Sequence, residues 1–467
     1  MTRFPLAPLV VLTLLLASGS VAAAAETRAF LFQTDYTTGS LSTSTLSPRT
    51  PSCDVASVNN DASMRYYGGR LYVVNRFGGD NVQVIDPATG GTLLQFSVGN
   101  GSNPHDIAFA SATHAYVSRF DATDLWVVNP ATGAHTGTIS LASFADADGL
   151  PEMDRLEMVG PLLFVSIERL NRNAGYAPAD TGLVAVVDTR ADTLLDCDPA
   201  RPGVQAIALT LRNPFTAFQW DPASDRLLIG CAGAFGALDG GIEWIDPVAL
   251  KSAGVAITEA RLGGDVDDVV WGDAGKSWAI VADLAGNTRL ESWSASADSV
   301  LGTIWNPGGY VLADAELNDR GELWVCDNDF SFPKVRVFSA ATDLPLGSDL
   351  LCTLPPGSVT FDATSGQIAS VPATGATLAL SPPSPNPASR SSVLAFSLPA
   401  AGEARLEVLD VAGRRVRTLA SGARAAGPAR VAWDLADDAG ERVPAGLYWV
   451  RLAVAGEARV QRLIVIR

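Results

Sequence analysis

Residues 81 to 110 read NVQVIDPATGGTLLQFSVGNGSNPHDIAFA: apolar and polar positions alternate, a polar turn intervenes, alternation resumes, and an Asn-Pro-His-Asp run leads into a further apolar stretch. Alternation with period two is the pattern of a strand with one buried face. The unit recurs. Copies begin at Val82 (VQVIDPATGG), Leu125 (LWVVNPATGA), Val184, Ile242, Leu290 and Val335, in steps of 43 to 59 residues. A second phase of the same unit predicts strands starting at Phe30, Leu71, Ala115, Leu163, Leu227, Trp278 and Leu323. Seven units of several strands each, separated by Gly/Asp/Pro turns, predict an all-β chain whose residues 26–372 form a seven-bladed β-propeller. Each blade has a face it cannot bury alone, so blades stack around an axis. The unit before residue 70 matches poorly, as expected of the blade in which the chain closes the ring.

The recurring DPATG is a turn. Asp or Asn opens it, Pro presets φ, and Gly takes the left-handed conformation that closes a short hairpin. From Ser381 the pattern changes: SPPSPNPAS is Pro/Ser-rich, and shorter strand patterns follow in SVLAFSLP, ARLEVLDVAGRRVRTL, ARVAWDL and GLYWVRLAVAGEARVQRLIVIR. This predicts a linker over 373–390 and a small β-sandwich over 391–467.

At the other end, Arg3, the apolar run Leu9–Ala17 and the small residues Ala22–Ala25 predict a secretory signal peptide over 1–25. No later run reaches the roughly 18 to 20 apolar residues of a spanning helix, so an exported chain without a membrane span is expected. Roughly 440 residues remain, more than one core usually serves, which supports two domains.

Charge divides the same way. Residues 381–467 hold 12 Arg and 8 acidic residues, a net of +4, whereas 26–380 carry a net of −22. An acidic body of that size repels nucleic acid and anionic membranes and favours cations or basic molecules as guests. The five cysteines (Cys53, Cys197, Cys231, Cys326, Cys352) allow two disulfides, with Cys326–Cys352 the first candidate. None sits in a CxxC or CxxCH spacing, which excludes a zinc knuckle and a c-type haem.

LYVVNRFGGDNVQVIDPATGGTLLQFSVGNGSNPHDIAFA and its partial copy from Ala115 to Ser140 resemble the YVTN-type seven-bladed propellers of exported bacterial proteins. That group includes ligand-binding surface proteins, lactonase-like enzymes and subunits of quinoprotein dehydrogenases, so the resemblance implies a fold and leaves the function open. In the tail, the order NP, LP, VLDVAGRRVRTL, WDLADDAGERVPAGLYWVRL resembles the FlgD-like Ig domain and the related C-terminal sorting domain of the type IX secretion system. Two features depart from that pattern: Ala388 follows NP where Phe is usual, and LIVIR carries a single basic residue. The resemblance implies delivery to the outer surface, with the type IX machinery as a partner; the plainer reading is an accessory sandwich.

In a propeller the innermost strands line the channel, and the loops leading into them converge at one mouth. SCDVASV, NPHDIAF, PEMDRLEM, NPFTAFQW, DVDDVVW and LADAELN are the expected approaches. They would gather Asp54, His105, Asp106, Glu152, Asp154, Arg155, Asp267, Asp268, Asp314 and Glu316 at that mouth. Clustered carboxylates raise one another's pKa or hold a hard cation such as calcium. The competing structural reading is that they cap turns and bind backbone N–H groups.

His105 is the best single candidate for acid/base catalysis, since His114 and His135 fall between outer strands; no GxSxG elbow supplies a serine nucleophile. In FADADGLPEMD, aligning Gly149 with the EF-hand glycine puts Phe144 and Arg155 at ligand positions, so only an irregular calcium site of Asp146, Asp148 and Glu152 survives. Tryptophans such as Trp220, Trp244, Trp271 and Trp324 are expected between blades. Two classes of function follow. One is an exported or surface propeller that binds a small molecule, glycan or protein. The other is a lactonase-like hydrolase in which channel carboxylates hold calcium and His105 or an acidic neighbour activates water.

Overall fold

The computed structural model describes residues 27–362 except position 222, and 378–466 except 381–382, 384–385, 399–401, 411–412, 425–426 and 455–456. The expected signal peptide lies outside the described residues. Two compact units divide the chain, Met1–Gln367 and Ile368–Arg467. Among the described residues no helix is long and apolar enough to cross a membrane.

The first unit is a β-propeller. Among the described residues seven antiparallel sheets of four or more strands succeed one another, with innermost strands Pro356–Phe361, Ala62–Tyr67, Pro104–Ser111, Met153–Val159, Gln219–Asp221, Asp265–Val270 and Leu312–Leu317. We number these blades 1 to 7. The second strands, from Arg28–Thr34 to Glu322–Asp327, fall where the recurring pattern predicted them. The core is divided among seven apolar clusters, each built from two adjacent blades. One joins Phe30, Leu41, Leu71 and Ile85 across blades 1 and 2, and another joins Trp324, Val335, Leu31 and Phe361 across blades 7 and 1. Each large side chain buried this way contributes about 1.5 to 3 kcal/mol, so stability resides in the interfaces between blades. The tryptophans do pack there: Trp244, Trp271 and Trp293 form a chain of ring contacts across blades 5 and 6.

Blade 1 closes the ring. Its strands Arg28–Thr34, Gly39–Thr45 and Pro51–Val58 come from the start of the described chain, and Pro356–Phe361 comes from the end of the unit. Asp362 ties the junction by accepting the backbone N–H groups of Thr27 (2.7 Å) and Arg28 (3.1 Å). This corrects one expectation: Pro51–Val58, which contains SCDVASV, is the outermost strand of blade 1 and not its channel strand. Asp54 is exposed there, accepting from the Thr353 hydroxyl at 2.9 Å, and is not part of the channel mouth. The repeated turns form as read. Asp86 O accepts from Gly90 N (2.9 Å) and Asn129 O from Gly133 N (2.8 Å), with Gly90 and Gly133 at φ +73° and +75°.

The second unit packs a three-stranded sheet (Ala379–Leu380, Ser392–Leu398, Gly427–Trp433) on a four-stranded one (Arg415–Arg424, Gly402–Leu409, Gly446–Val454, Glu457–Val465). Leu394, Leu406, Trp433, Val450 and Leu463 form its core. The stretch expected as a linker contributes to it: Leu378, Leu380 and Ala388 are buried in that core. The Asn-Pro step is part of the sheet, because Asn386 Nδ2 donates to Arg462 O (2.9 Å) and Ile464 N donates to Asn386 Oδ1 (2.9 Å). Ala388 itself exchanges backbone bonds with the last strand, accepting from Ile466 N and donating to Ile464 O. All five cysteines are free thiols, Cys326 and Cys352 included.

Candidate functional site

The innermost strands of blades 3, 4, 6 and 7 share an irregularity. Their register slips between Pro104 and Ile107, Met153 and Leu156, Val266 and Asp268, and Leu312 and Asp314. A bulge of this kind re-aims a side chain, and three aspartates here turn sideways toward the next blade. Leu156 N donates to Asp106 Oδ2 (3.0 Å), Ala315 N to Asp268 Oδ2 (2.9 Å) and Val359 N to Asp314 Oδ2 (2.8 Å).

Other polar groups complete the circle. Thr34 Oγ1 donates to Asn60 O (2.7 Å), Ser63 Oγ to His105 O (2.6 Å), Arg155 Nε to Phe215 O (3.2 Å) and Trp271 N to Gln219 Oε1 (3.3 Å). Each pair of neighbouring blades is therefore joined near the axis by at least one polar bond. The predicted ring of acids exists in part, and it staples blades.

Burial decides the charge of these groups. Burial and the neighbouring Asp314 push Asp268 well up, and burial brings Asp314 to about 6. Asp267 is pushed to about 6 by burial while it accepts a bond from Tyr310. Asp106 has the densest partners: Arg65 grips it with Nε and Nη2 (2.8 and 2.6 Å), and Ile107 N adds a third bond (2.8 Å). Arg65 also lies 3.8 Å from Glu157, which burial raises to about 8.

His105 is 6% exposed, lies flat on Phe120 (4.3 Å between centroids) and has both ring nitrogens engaged. Arg76 Nη2 is 2.9 Å from Nε2, and Asp154 Oδ1 is 2.7 Å from Nδ1. A guanidinium only donates, so Nε2 accepts and Nδ1–H donates to Asp154. Burial and Arg76 lower the His105 pKa, which keeps the ring neutral. Burial would raise Asp154, but Arg155 (Nε 3.2 Å), His105 and Arg76 hold it well below the usual carboxylate range. Burial and the Asp154 charge push the adjacent Glu168 far up, so it keeps its proton. Ligand atoms of His105, Asp154 and Glu168 lie within 4.8 Å of one another, yet Arg76 already fills the imidazole's open valence.

Asp146, Asp148 and Glu152 also converge within 4.8 Å. Their oxygens are largely engaged: Asp148 N donates to Asp146, Leu150 N and Arg172 N to Asp148, and Leu170 N to Glu152 Oε2. Arg172 Nε stands 3.4 Å from Glu152 Oε1. Burial, with the charge of Asp148, raises Glu152 to about 8. A guanidinium beside a carboxyl that favours its neutral form is a poor cradle for a hard cation, and the trio does not fit calcium well.

Two cavities occupy the channel. The one at the mouth, about 290 Å3, is lined by Tyr36, Asn60, Asp61, Arg76, Arg155 and Asn328 among others. The second, about 210 Å3, lies further along the innermost strands beside Arg65, Asp106, Glu157, Trp220, Trp271 and Glu316. Of the predicted mouth residues, Arg155 and Asp314 reach both cavities, whereas Asp106 and Glu316 line only the inner one. Arg65, Arg76, Glu157 and Glu168 went unanticipated. Glu157 lies within PEMDRLEM, two residues beyond Arg155, whereas Arg65 stands on the innermost strand Ala62–Tyr67, for which no approach was drawn, and Arg76 and Glu168 come from second-strand ends that the approach loops did not cover. His114 and His135 lie at the periphery as expected, paired with Asp192 and Thr138.

Among known proteins, the hydrazine synthase of Kuenenia stuttgartiensis is 13% identical, with 65% of this chain and 95% of that chain covered at a TM-score of 0.49. AztD from Citrobacter koseri is 12% identical over 73% and 99% at 0.47. The extracellular domain of a one-component system from B. thetaiotaomicron is 10% identical over 87% and 56% at 0.41. No curated protein matches the chain. Residues 388–457 match the model of the FlgD Ig-like domain, which agrees with the two-sheet fold of the second unit.

Proposed function

We propose that this protein is an exported propeller that binds a small polar molecule in the mouth cavity, while its FlgD Ig-like domain serves secretion or attachment. One observation carries this reading: the acids expected to do chemistry are committed to blade interfaces, whereas the mouth cavity is lined by polar groups with capacity to spare. Arg76 Nε is buried there without a hydrogen bond, and Asp61 is only loosely paired with it at 3.5 Å. The neutral His105, clamped from both sides, supports binding over general-base catalysis. Export rests on the N-terminal leader pattern and on the Ig-like tail, with the YVTN-type and type IX resemblances as supporting likenesses.

A thermal-shift screen of small polar metabolites against the full chain tests the binding reading. A ligand at 100 times its Kd stabilises by about 2.7 kcal/mol, and that gain should vanish in Arg76→Ala. A ligand whose effect survives the substitution would place binding elsewhere. The alternative, a calcium-assisted hydrolase, makes a different demand. Elemental mass spectrometry of the dialysed protein should find no stoichiometric calcium, because Arg172 competes for the Asp146–Asp148–Glu152 oxygens; about one calcium per chain would favour the hydrolase.

A further inference from the structure

We propose that the loop face around the channel mouth is a docking surface for a partner protein that presents a basic segment flanked by apolar side chains. Strands alternate direction, so the loop joining the second and third strands of each blade meets the loop that leads into the innermost strand. Thr34 N–Pro355 O, Arg76 N–Asp61 O, Phe120 N–Asn103 O, Arg169 N–Pro151 O, Gly233 N–Arg212 O and Asn328 N–Val311 O are those meetings in six blades. All these loops share one face of the propeller.

The exposed aromatic side chains of the described propeller lie on this face. Tyr36, Phe77, Tyr176 and Phe235 stand in the loops between second and third strands of blades 1, 2, 4 and 5, each at least 57% exposed. Phe330 and Phe332 occupy the same loop of blade 7, and Tyr310 leads into that blade. Blade 6 places Leu284 at the equivalent position, 67% exposed. The turns on the opposite face expose Val248 and Leu344 but no Phe, Tyr or Trp among the described residues. Tyr36 stacks on Phe330 at 6.2 Å, so the surface is continuous across blades 7 and 1. Folding gains nothing from exposing rings in loop after loop, and such one-sided clustering marks an interaction site.

Charge selects the occupant. An aspartate accompanies the apolar residue in these loops: Asp35 beside Tyr36, Asp180 after Tyr176, Asp283 beside Leu284 and Asp329 beside Phe330. Arg172 and Arg212 on this face are already engaged with Asp121 and Asp239, Arg169 donates to Thr181 O, and Arg76 pairs loosely with Asp61 beside the mouth cavity. No salt bridge joins Asp35, Asp180 or Asp329 to a cation among the described residues, and Asp283 feels Arg289 only at a distance. Aromatic rings interleaved with unneutralised carboxylates complement lysine or arginine set among apolar side chains, through ion pairs and cation–π contact. This goes beyond the small-molecule reading and uses residues of the rim, not Arg76.

The test is selection of a displayed library of random peptides on the immobilised full chain, followed by titration of the enriched synthetic peptide. Enriched sequences should combine Lys or Arg with aromatic or branched residues, and their binding should weaken with salt. Affinity should fall about tenfold or more in a Tyr36→Ser/Phe330→Ser variant; Phe235→Ser, on a distant blade, gives an independent second reading if the first variant misfolds. Enrichment of acidic or uncharged peptides, no enrichment, or binding indifferent to both variants would overturn the proposal. So would a glycan, or self-association of the full chain, lost in the same variants. Phe235 lines neither cavity, so Phe235→Ser should lose peptide binding but keep the Arg76-dependent thermal shifts, which separates this surface from the mouth cavity.

Discussion

At the residue scale, the same side chain serves two roles that only its surroundings distinguish. An aspartate at a strand end reads equally as a cation ligand or as a backbone acceptor, and here the bulge that turns it sideways settles the matter for Asp106, Asp268 and Asp314. Removing Asp106 leaves the largely buried Arg65 guanidinium with only Leu156 O and the more distant Glu157 as partners. We expect Asp106→Ala to cost about 3 kcal/mol or more in urea unfolding; a loss under about 1 kcal/mol would mean that the staple is dispensable. The buried acids also set a pH dependence. Glu157, Glu259 and Asp314 are raised to about 8, 7 and 6, mainly by burial. A raised carboxyl stabilises the fold fully below its unfolded pKa, and that stability is lost as pH rises through the folded value. The melting temperature should therefore fall between about pH 4.5 and 8. Glu157→Gln, which cannot ionise, should flatten the upper part of that decline, and an unchanged profile would count against the assignment.

At the scale of elements, strands and turns were legible because their signals are local. Alternation located the second and third strands, and Asp/Asn-Pro-Ala-Thr-Gly located the hairpins. A Cβ on Gly90 would meet Val55 O at 2.5 Å, so Gly90→Ala should destabilise by more than the roughly 1 kcal/mol of a left-handed position alone. Chemical unfolding of that single variant checks this. Pro51–Val58 was misplaced because an outermost and an innermost strand share one hydrophobic pattern. The linker was drawn too long because Leu378, Leu380 and Ala388 sit singly among Pro and Ser, and single apolar residues carry no period.

For the whole molecule, ring closure makes a sharp prediction. The strand that completes blade 1 ends at Phe361, with Asp362 tying it to Thr27 and Arg28. A chain ending after Asp362 should melt with the cooperative transition of the full-length propeller. One ending before Pro356 leaves Leu31 and Phe32 without their partner strand and should lose that transition. Equal melting of the two truncations would refute closure by this strand.

By itself the sequence determined the repeat, the count of strand units, the turn chemistry, the acidic body and the separate tail, because each depends on neighbours within a few residues. It also assigned His105, Asp154, Arg155, Asp268 and Asp314 to innermost strands, since position along a repeat predicts position in a blade. Tertiary structure alone decided which of those groups are free. Arg76 reaches His105 from another blade, Arg172 reaches Glu152 across a loop, and the exposed rings gather on one face. These relations join residues that are distant along the chain, and burial then fixes their charge through desolvation, which no linear pattern records.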